Sequence, residues 1–354
     1  MAVVPPTAPS SLAGISARVE ARLVELFDDE VPRWAALDPV LADPLQSLRT
    51  FVLDGGKRLR PAFCHWGFVG AGGDPADPAV VDAGAAFELL QAFALIHDDV
   101  MDGSAVRRGA RTAHLDYGDR HRDGSWRGEE RRFGEGVAIL LGDLAFVYAD
   151  RLLPRSSADV QIVWDELRTE LNVGQYLDLI GTARGDVDHA AARRIARYKS
   201  GKYTIERPLH VGAALAGRFA DLGGPLSAYG DPLGEAFQLR DDLLGAFGDE
   251  AVTGKPVGDD LREGKPTPLM ALATAAADPD QALVLSLVGE PQLDAGQVAA
   301  VQHVLRETGA VDAIEASITA LTDEALSALA VTPVTDDARA ELEALARFVA
   351  WRIA

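Results

Sequence analysis

Cysteine is almost absent: Cys64 is the only one in 354 residues. This excludes an intrachain disulfide framework and a thiolate zinc site, and it fits a reducing cytoplasm. Positive charge is also scarce. Thirty-four Lys and Arg face 54 Asp and Glu, a formal net charge of −20. The chain lacks the broad basic face that phosphate-backbone binding needs, so nucleic acid is not an expected partner. Alternating β-branched runs are few, which argues against a sheet. The most apolar stretch, 83–96, is broken by Glu88 and Gln91 and is too short to span a bilayer, so no stable membrane insertion is expected. The opening MAVVPPTAPSSLAG lacks a basic region followed by a hydrophobic one, so it reads as a flexible lead-in over 1–13 rather than a secretory signal. P-loop, GxGxxG, GxSxG and HExxH patterns are missing, and the seven histidines show no metal-ligand spacing.

What the chain has is helix-forming residues. Ala, Leu, Arg and Glu abound, and 48% of residues are apolar, enough for a large core. The pattern predicts an all-α, single-domain bundle over 14–354. Helices are expected at about 14–30, 42–53, 60–71, 77–103, 135–153, 158–182, 189–219, 226–248, 268–276, 294–308, 310–330 and 336–352. Turns are expected at Gly55-Gly56, Gly72-Gly73, Gly223-Gly224-Pro225 and Asp278-Pro279. Two polar, glycine-punctuated stretches, 119–132 and 253–267, read as loops with little fixed structure.

Two helices carry polar residues where a core helix should be greasy. In FELLQAFALIHDDVMD, Glu88, Gln91, Asp98 and Asp102 share one face of an otherwise apolar helix. Asp98 and Asp102 lie one turn apart, and like charges at that spacing repel, more so when buried. A hard divalent cation removes the penalty, and carboxylates together with phosphate oxygens are what Mg²⁺ prefers. In FQLRDDLLGAFGD, Gln238, Asp241, Asp242, Gly245 and Asp249 form a second such stripe. Facing each other across a bundle, the two stripes would line one carboxylate-rich cavity able to hold several ions.

Local cations stand out against the acidic background. Lys57, Arg58 and Arg60 crowd an expected helix start, where free backbone N–H groups add to an anion site. Arg107, Arg108 and Arg111 follow the first Asp cluster. Lys199 and Lys202 flank Ser200-Gly201, and Lys255 and Lys265 follow the second Asp cluster. Acids that hold Mg²⁺ beside bases that hold anions point to a polyphosphate ligand. Cys64 sits in an apolar run and reads as core.

The five segments GGKRLRP, LIHDDVMD with RRGART, YKSGKYT, FQLRDDLLGAFGD and GKPVGDDLREGKPT resemble, in order and spacing, the trans-isoprenyl diphosphate synthases of the polyprenyl synthetase family. The likeness covers roughly 40–350. It implies an isoprenoid-synthase-type bundle around a deep central cavity, usually a homodimer, with three Mg²⁺. The expected substrates are isopentenyl diphosphate and an allylic diphosphate (dimethylallyl, geranyl or farnesyl). It implies that Asp98 and Asp102 bind metal from one side and Asp241 from the other, with Asp242 close by. Arg107, Lys199 and Lys255 would contact the allylic diphosphate. Lys57, Arg58 and Arg108 would hold isopentenyl diphosphate, with Gln91 where many members have His. Ser200 and Gln238 would lie near the developing cation, and Lys265 in a closing loop.

One position departs from the family pattern. The second cluster is usually DDxxD, and its last position here is Gly245; Asp249 is the next acid on that stripe. Phe93 and Ala94, one turn before the first Asp cluster, are expected to set product length, and this pair leans towards geranylgeranyl diphosphate, ahead of farnesyl diphosphate and longer chains. Two rivals keep the fold. A class I terpene cyclase would not need the second anion pocket of Lys57, Arg58 and Arg108. A non-catalytic partner subunit usually loses one Asp cluster.

Overall fold

The computed structural model describes residues 7–185, 188–248, 257–290 and 292–352. The described chain is helical almost throughout, as expected. The first helix, α1 (Ser10–Ala35), starts four residues earlier than its apolar period suggests. It is followed by α2 (Ala42–Leu53), α3 (Leu59–Gly70) and α4 (Pro78–Asp102). The start of α4 is set by Asp77, whose side chain accepts from Ala79 N at 2.8 Å, and by Pro78; its end is set by Gly103 at φ +65°. It is long and apolar enough to cross a membrane, but its apolar face lies in the bundle core, with Ala83, Phe87, Leu89 and Leu90 fully buried.

A two-residue hairpin, β1 (Val106–Arg107) with β2 (Ala110–Arg111), is the one piece of sheet among the described residues. Its turn residues Arg108 and Gly109 both take positive φ, +53° and +76°, as tight hairpin turns require. Three helices follow: α5 (Ala113–Asp123), α6 (Glu130–Leu152) and α7 (Ala158–Arg184). The expected loop at 119–132 is therefore mostly helix. Its polar sequence misled because one histidine organises it. His121 is buried, meets the Arg127 carbonyl at 3.1 Å, and packs against the Trp126 and Phe133 rings.

The expected helix 189–219 is three pieces: α8 (His189–Ala196), a π-helical stretch (Arg197–Glu206) and α9 (Arg207–Leu215). It ends at Gly217, φ +70°. The next helix, α10 (Phe219–Phe247), runs straight through the expected turn at Gly223-Gly224-Pro225 and through Pro232. Leu222, Leu226, Tyr229 and Leu233 are fully buried, at about 2 kcal/mol each. Their sum offsets the roughly 3 kcal/mol that each interior proline costs.

The remaining helices are α11 (Asp259–Glu263), α12 (Pro268–Ala276), α13 (Pro279–Leu285), α14 (Ala295–Glu307), α15 (Ala310–Val331) and α16 (Asp336–Trp351). The stretch expected as loop at 253–267 thus contains a short helix. Asp278-Pro279 is a turn as expected, with Asp278 and Gln281 forming a reciprocal cap on α13. One core joins α1 to α7, a second joins α3, α9 and α10 to α15 and α16, and a third joins the end of α10 to α11–α15. The site lies between the faces of α4 and α10.

Candidate active site

The polar stripes of α4 and α10 line one cavity of about 930 Å³. Glu88, Gln91 and Asp98 enter it from α4, and Gln238, Asp241, Asp242 and Gly245 from α10. The two Asp clusters therefore face a shared space, as the stripes imply. Leu95, Ile195, Ala196 and Phe237 supply apolar wall.

At the end of α4, carboxylate oxygens of Asp98, Asp102 and Asp178 on α7 lie within 4.8 Å of one another. Asp98 accepts from Lys199 Nζ at 2.9 Å, from Gln175 Nε2 at 3.1 Å and from Arg107 at 3.2 Å. Burial alone would raise the Asp98 carboxyl, but Lys199, Lys265 and Arg107 outweigh it and hold Asp98 well below the usual carboxylate range. Asp102 is pushed up to about 6, first by burial and then by the Asp98 charge. Its Oδ2 is buried with no hydrogen-bond partner. A close carboxylate set with a buried oxygen that accepts no hydrogen bond fits a hard divalent cation.

Lys199 and Ser200 come from the π-helical stretch, which lies between α7 and α10. Glycine permits the approach on both sides. A methyl group at Gly174 on α7 would overlap the Lys199 backbone, and one at Gly234 on α10 would sit 2.6 Å from the Gly201 carbonyl oxygen. Thus braced, Lys199 donates to Asp178 at 2.5 Å as well as to Asp98. Burial opposes its charge, but Asp98 and Asp178 prevail and raise its pKa.

Across the cavity, Asp242 is buried and accepts from Gln238 Nε2 at 2.8 Å, while its Oδ2 has no hydrogen-bond partner. Burial pushes Asp242 up to about 8, with Asp260 and Asp241 adding to the effect. Asp241 is more exposed and is bound by Arg352, whose guanidinium lies over the Phe237 ring. Lys265 links the two halves. Its Nζ lies 2.6 Å from Glu263, 3.5 Å from Asp260 and 3.8 Å from Asp102. Burial works against that charge, but these acids raise its pKa well above the usual value.

The GGKRLRP turn forms the neighbouring wall. Gly55 and Gly56 take φ +69° and +106°, and Arg58 is held at φ +50°. Lys57 lines the cavity, pushed down to about 8 by burial and by the charge of Arg352. Arg58 lines it too but is nearly buried. It donates to Glu88, to Glu20 at 3.2 Å and to the Val52 carbonyl at 2.9 Å. Arg108 donates to the Asp54 carbonyl at 2.6 Å. Arg107, carried by the hairpin, donates to Asp99 at 2.6 Å.

The polyprenyl synthetase family profile matches residues 42–306. The chain belongs to this family. It is 32% identical over 297 residues to the geranylfarnesyl diphosphate synthase of Aeropyrum pernix, covering 81% of this chain and 87% of the relative. It is 32% identical over 282 residues to the geranylgeranyl diphosphate synthase of Mycobacterium tuberculosis, covering 76% and 75%. Its fold matches that of the geranylgeranyl pyrophosphate synthase of Corynebacterium glutamicum, solved with isoprenyl diphosphate and magnesium, at TM-score 0.90 and 39% identity over 96% of this chain and 98% of the other.

Of the residues marked in the sequence of this polyprenyl synthetase, Lys57, Arg58, Gln91, Asp98, Arg107, Arg108, Lys199, Ser200, Gln238, Asp241, Asp242 and Lys265 line the one cavity. Asp102 joins through its oxygen cluster with Asp98. Phe93 and Ala94 do not line the described cavity. They lie on an adjacent face of α4, with Phe93 against the Phe146 and His97 rings at 4.9 and 4.8 Å. Lys255 and Asp249 lie outside the described residues. Among the charged cavity residues that escaped the sequence reading are Asp178, Asp260 and Arg352. Of these, Asp178 left a signal, because Gln175 and Asp178 stand three apart on one face of α7 and both reach the Asp98 cluster.

Proposed function

We propose that this protein is a Mg²⁺-dependent prenyltransferase that joins isopentenyl diphosphate head-to-tail to an allylic diphosphate and releases diphosphate, with geranylgeranyl diphosphate as its main product. One observation carries the reading: two carboxylate-bearing helices face each other across a single cavity whose walls also hold Lys57, Arg107, Lys199 and Lys265. Membership of the polyprenyl synthetase family supports it.

Asp98, Asp102 and Asp178 would hold metal on one side, and Asp241 with Asp242 on the other, for three ions in all. Bound Mg²⁺ would neutralise charge on the allylic diphosphate and make it a better leaving group. The chain's own residues do the rest. Lys199 and Lys265 keep their charge because acids surround them, so they can exchange a carboxylate contact for a diphosphate oxygen without losing a proton. Lys57 and Arg108 offer a second anion pocket, next to Gln91. Leu95, Ile195 and Ala196 exclude water from the hydrocarbon, and Ser200, Thr204 and Gln238 set neutral oxygens at the same wall, facing a developing allylic cation. No protein nucleophile is needed.

The product assignment rests on the identity of Phe93 and Ala94, as the family resemblance implies, since neither lines the described cavity and Phe93 packs on the Phe146 and His97 rings. Exposed Leu140 and Val147 on α6, with Ile162, Val173 and Tyr176 on α7, form an apolar face that a second copy would cover, which supports a homodimer. The absence of disulfide chemistry supports a cytoplasmic location. The test is purified protein with Mg²⁺, labelled isopentenyl diphosphate and each of the three primers, with products sized by chromatography. Consumption of isopentenyl diphosphate by the chain alone excludes both a cyclase and a non-catalytic subunit. Phe93→Ala should shift products to longer chains; an unchanged length rejects Phe93 as the floor.

A further inference from the structure

Of the two lysines in YKSGKYT, only one meets the cavity. Lys199 lines it, while Lys202 is 9% exposed and lies in a buried charge cluster between α7 and the π-helical stretch. Glu170 on α7, also buried, is the centre of that cluster. It accepts from Lys202 Nζ at 2.5 Å and from Arg207 Nε and Nη2, each at 2.7 Å. Glu206 balances the second cation. It lies 3.5 Å from Lys202 Nζ and accepts from Ser227 Oγ on α10 at 2.7 Å. Burial would raise the Glu170 carboxyl, but Arg207 and Lys202 outweigh it and hold it below the usual value. None of these four charged groups lines the cavity, so the reaction as read above leaves them without a task.

We propose that Glu170 is a positioning residue for Lys199, holding the stretch 197–206 in its π-helical register through its grip on Lys202 and Arg207. This rests on the prenyltransferase reading above and deepens it. The register is what makes the grip possible. The Arg207 N–H bonds the Lys202 carbonyl, five residues back, as a π-helix requires. Round an α-helix, residues five apart point about 140° away from each other, and one carboxylate would be poorly placed to bind both. The wider turn brings Lys202 and Arg207 to one side, where Glu170 binds the pair. A π-helix rarely exceeds a single turn, so this ten-residue stretch needs support from outside itself. Glu170, Gly174 and Asp178 follow at four-residue spacing along one face of α7. Glu170 fixes the C-terminal end of the stretch, Gly174 admits the Lys199 backbone, and Asp178 receives the Lys199 ammonium at 2.5 Å. A slip to α-helical register would turn Lys199 out of line with Asp98 and Asp178.

The test uses the full chain with Glu170→Gln and Lys202→Met combined. The double substitution removes one charge of each sign, so Arg207 keeps Glu206 as a counter-ion and the melt should stay close to wild type. Amide exchange over 198–206, read by mass spectrometry, should quicken about 10-fold or more. With Mg²⁺, isopentenyl diphosphate and an allylic primer, kcat should fall about 10-fold or more. KM for isopentenyl diphosphate should hold, a split that general loosening would not give. In a chain that already carries Lys199→Met, the same pair should cost less than about twofold. Wild-type kcat in the double variant overturns the proposal. So does an equal loss in the Lys199→Met background, which would mean that Glu170 acts on something else. Unchanged exchange over 198–206 overturns it in every case. Should the double variant melt early, Glu170→Asp takes its place, keeping the charge but one methylene too short to hold both cations, and the same outcomes decide. A wild-type chain that leaves isopentenyl diphosphate unconsumed fells the prenyltransferase reading instead, and amide exchange then decides the grip of Glu170 alone.

Discussion

The guanidinium of Arg352, the last arginine of the chain, donates to the carboxylate of Asp241 on α10. It also lies over the Phe237 ring, 4.2 Å from its centroid. A cation therefore already occupies the acid expected to bind metal on that side. Metal entry has to displace it. Asp241 is 43% exposed, so the pair contributes about 1 kcal/mol, or roughly fivefold in binding. Arg352→Met should lower the Mn²⁺ concentration for half-saturation by about that factor, measured by direct titration. An increase would mean that Arg352 orients Asp241 for the metal rather than competing with it.

Arg58 separates architecture from substrate binding. The resemblance places it with Lys57 on isopentenyl diphosphate, yet its guanidinium is committed to Glu88, Glu20 and Val52. Removing one member of a buried ion pair leaves the other charge uncompensated, at about 3–5 kcal/mol. Arg58→Met should lower the melting temperature by about 5 °C. Lys57→Met, lacking such a pair, should leave the melt within about 1 °C and raise KM for isopentenyl diphosphate. A stable Arg58→Met with a raised KM would assign Arg58 to substrate.

Much of this site was readable in the chain before folding, and the reasons differ by residue. Asp98, Asp102, Asp241 and Asp242 could be read because a helix repeats every 3.6 residues and acids on a buried face are costly. Asp260 and Arg352 could not, because each reaches the cavity through tertiary packing and leaves no local period. The π-helical stretch was read as ordinary helix, since propensity does not distinguish one extra residue per turn. Pro225 and the 119–132 segment failed for one reason: burial of Leu226 and Tyr229, and of His121, overrides what their polar or helix-breaking neighbours prefer.

The metal-free protein should become less stable as pH rises from about 6.5 to 8. Asp242 is raised to about 8 and Asp102 to about 6, both chiefly by burial. The unfolded carboxyls titrate near the ordinary value of 3.8. Between that value and the raised ones the folded state holds protons that the unfolded state has lost. The stability these protons confer is complete below about pH 4 and disappears as pH climbs through 6 and then 8. Two buried histidines work oppositely at the lower end: burial lowers His65 and His210 to about 4 from 6.5, so each adds stability as pH rises to about 6.5. Carboxylates held low, such as Glu30 at about 2, do the same at more acid pH. Above about pH 6.5 the histidines no longer oppose Asp242, so melting temperature without metal should fall between about pH 6.5 and 8. Saturating Mg²⁺ with diphosphate should flatten the slope, because metal takes the place of the protons. Mn²⁺ affinity should rise over the same window. Asp242→Asn should remove the slope, and a metal-free melt that rises with pH through this range would contradict the burial of Asp242.

Gly174 tests whether the π-helical stretch must sit where it does. The residue lies on α7, one turn before Asp178, and contributes no ligand atom of its own. A methyl group there meets the backbone of Tyr198 and Lys199, which cannot rotate aside as a side chain would. Gly174→Ala therefore has two outlets: strain of about 1–3 kcal/mol, or a shift of the stretch away from α7. A shift moves Lys199 off Asp98 and Asp178, now 2.9 and 2.5 Å away. Lys199 is expected to grip the allylic diphosphate, so the shift should act on turnover. Displacement of about 1 Å costs on the order of 10²-fold in rate. Gly174→Ala should lower kcat by tens of fold or more while KM for isopentenyl diphosphate, bound near Lys57 and Arg108, changes little. Lys199→Met should lower kcat as well, and in the double variant the two losses should overlap rather than multiply. Losses that multiply would show that Gly174 supports something other than Lys199.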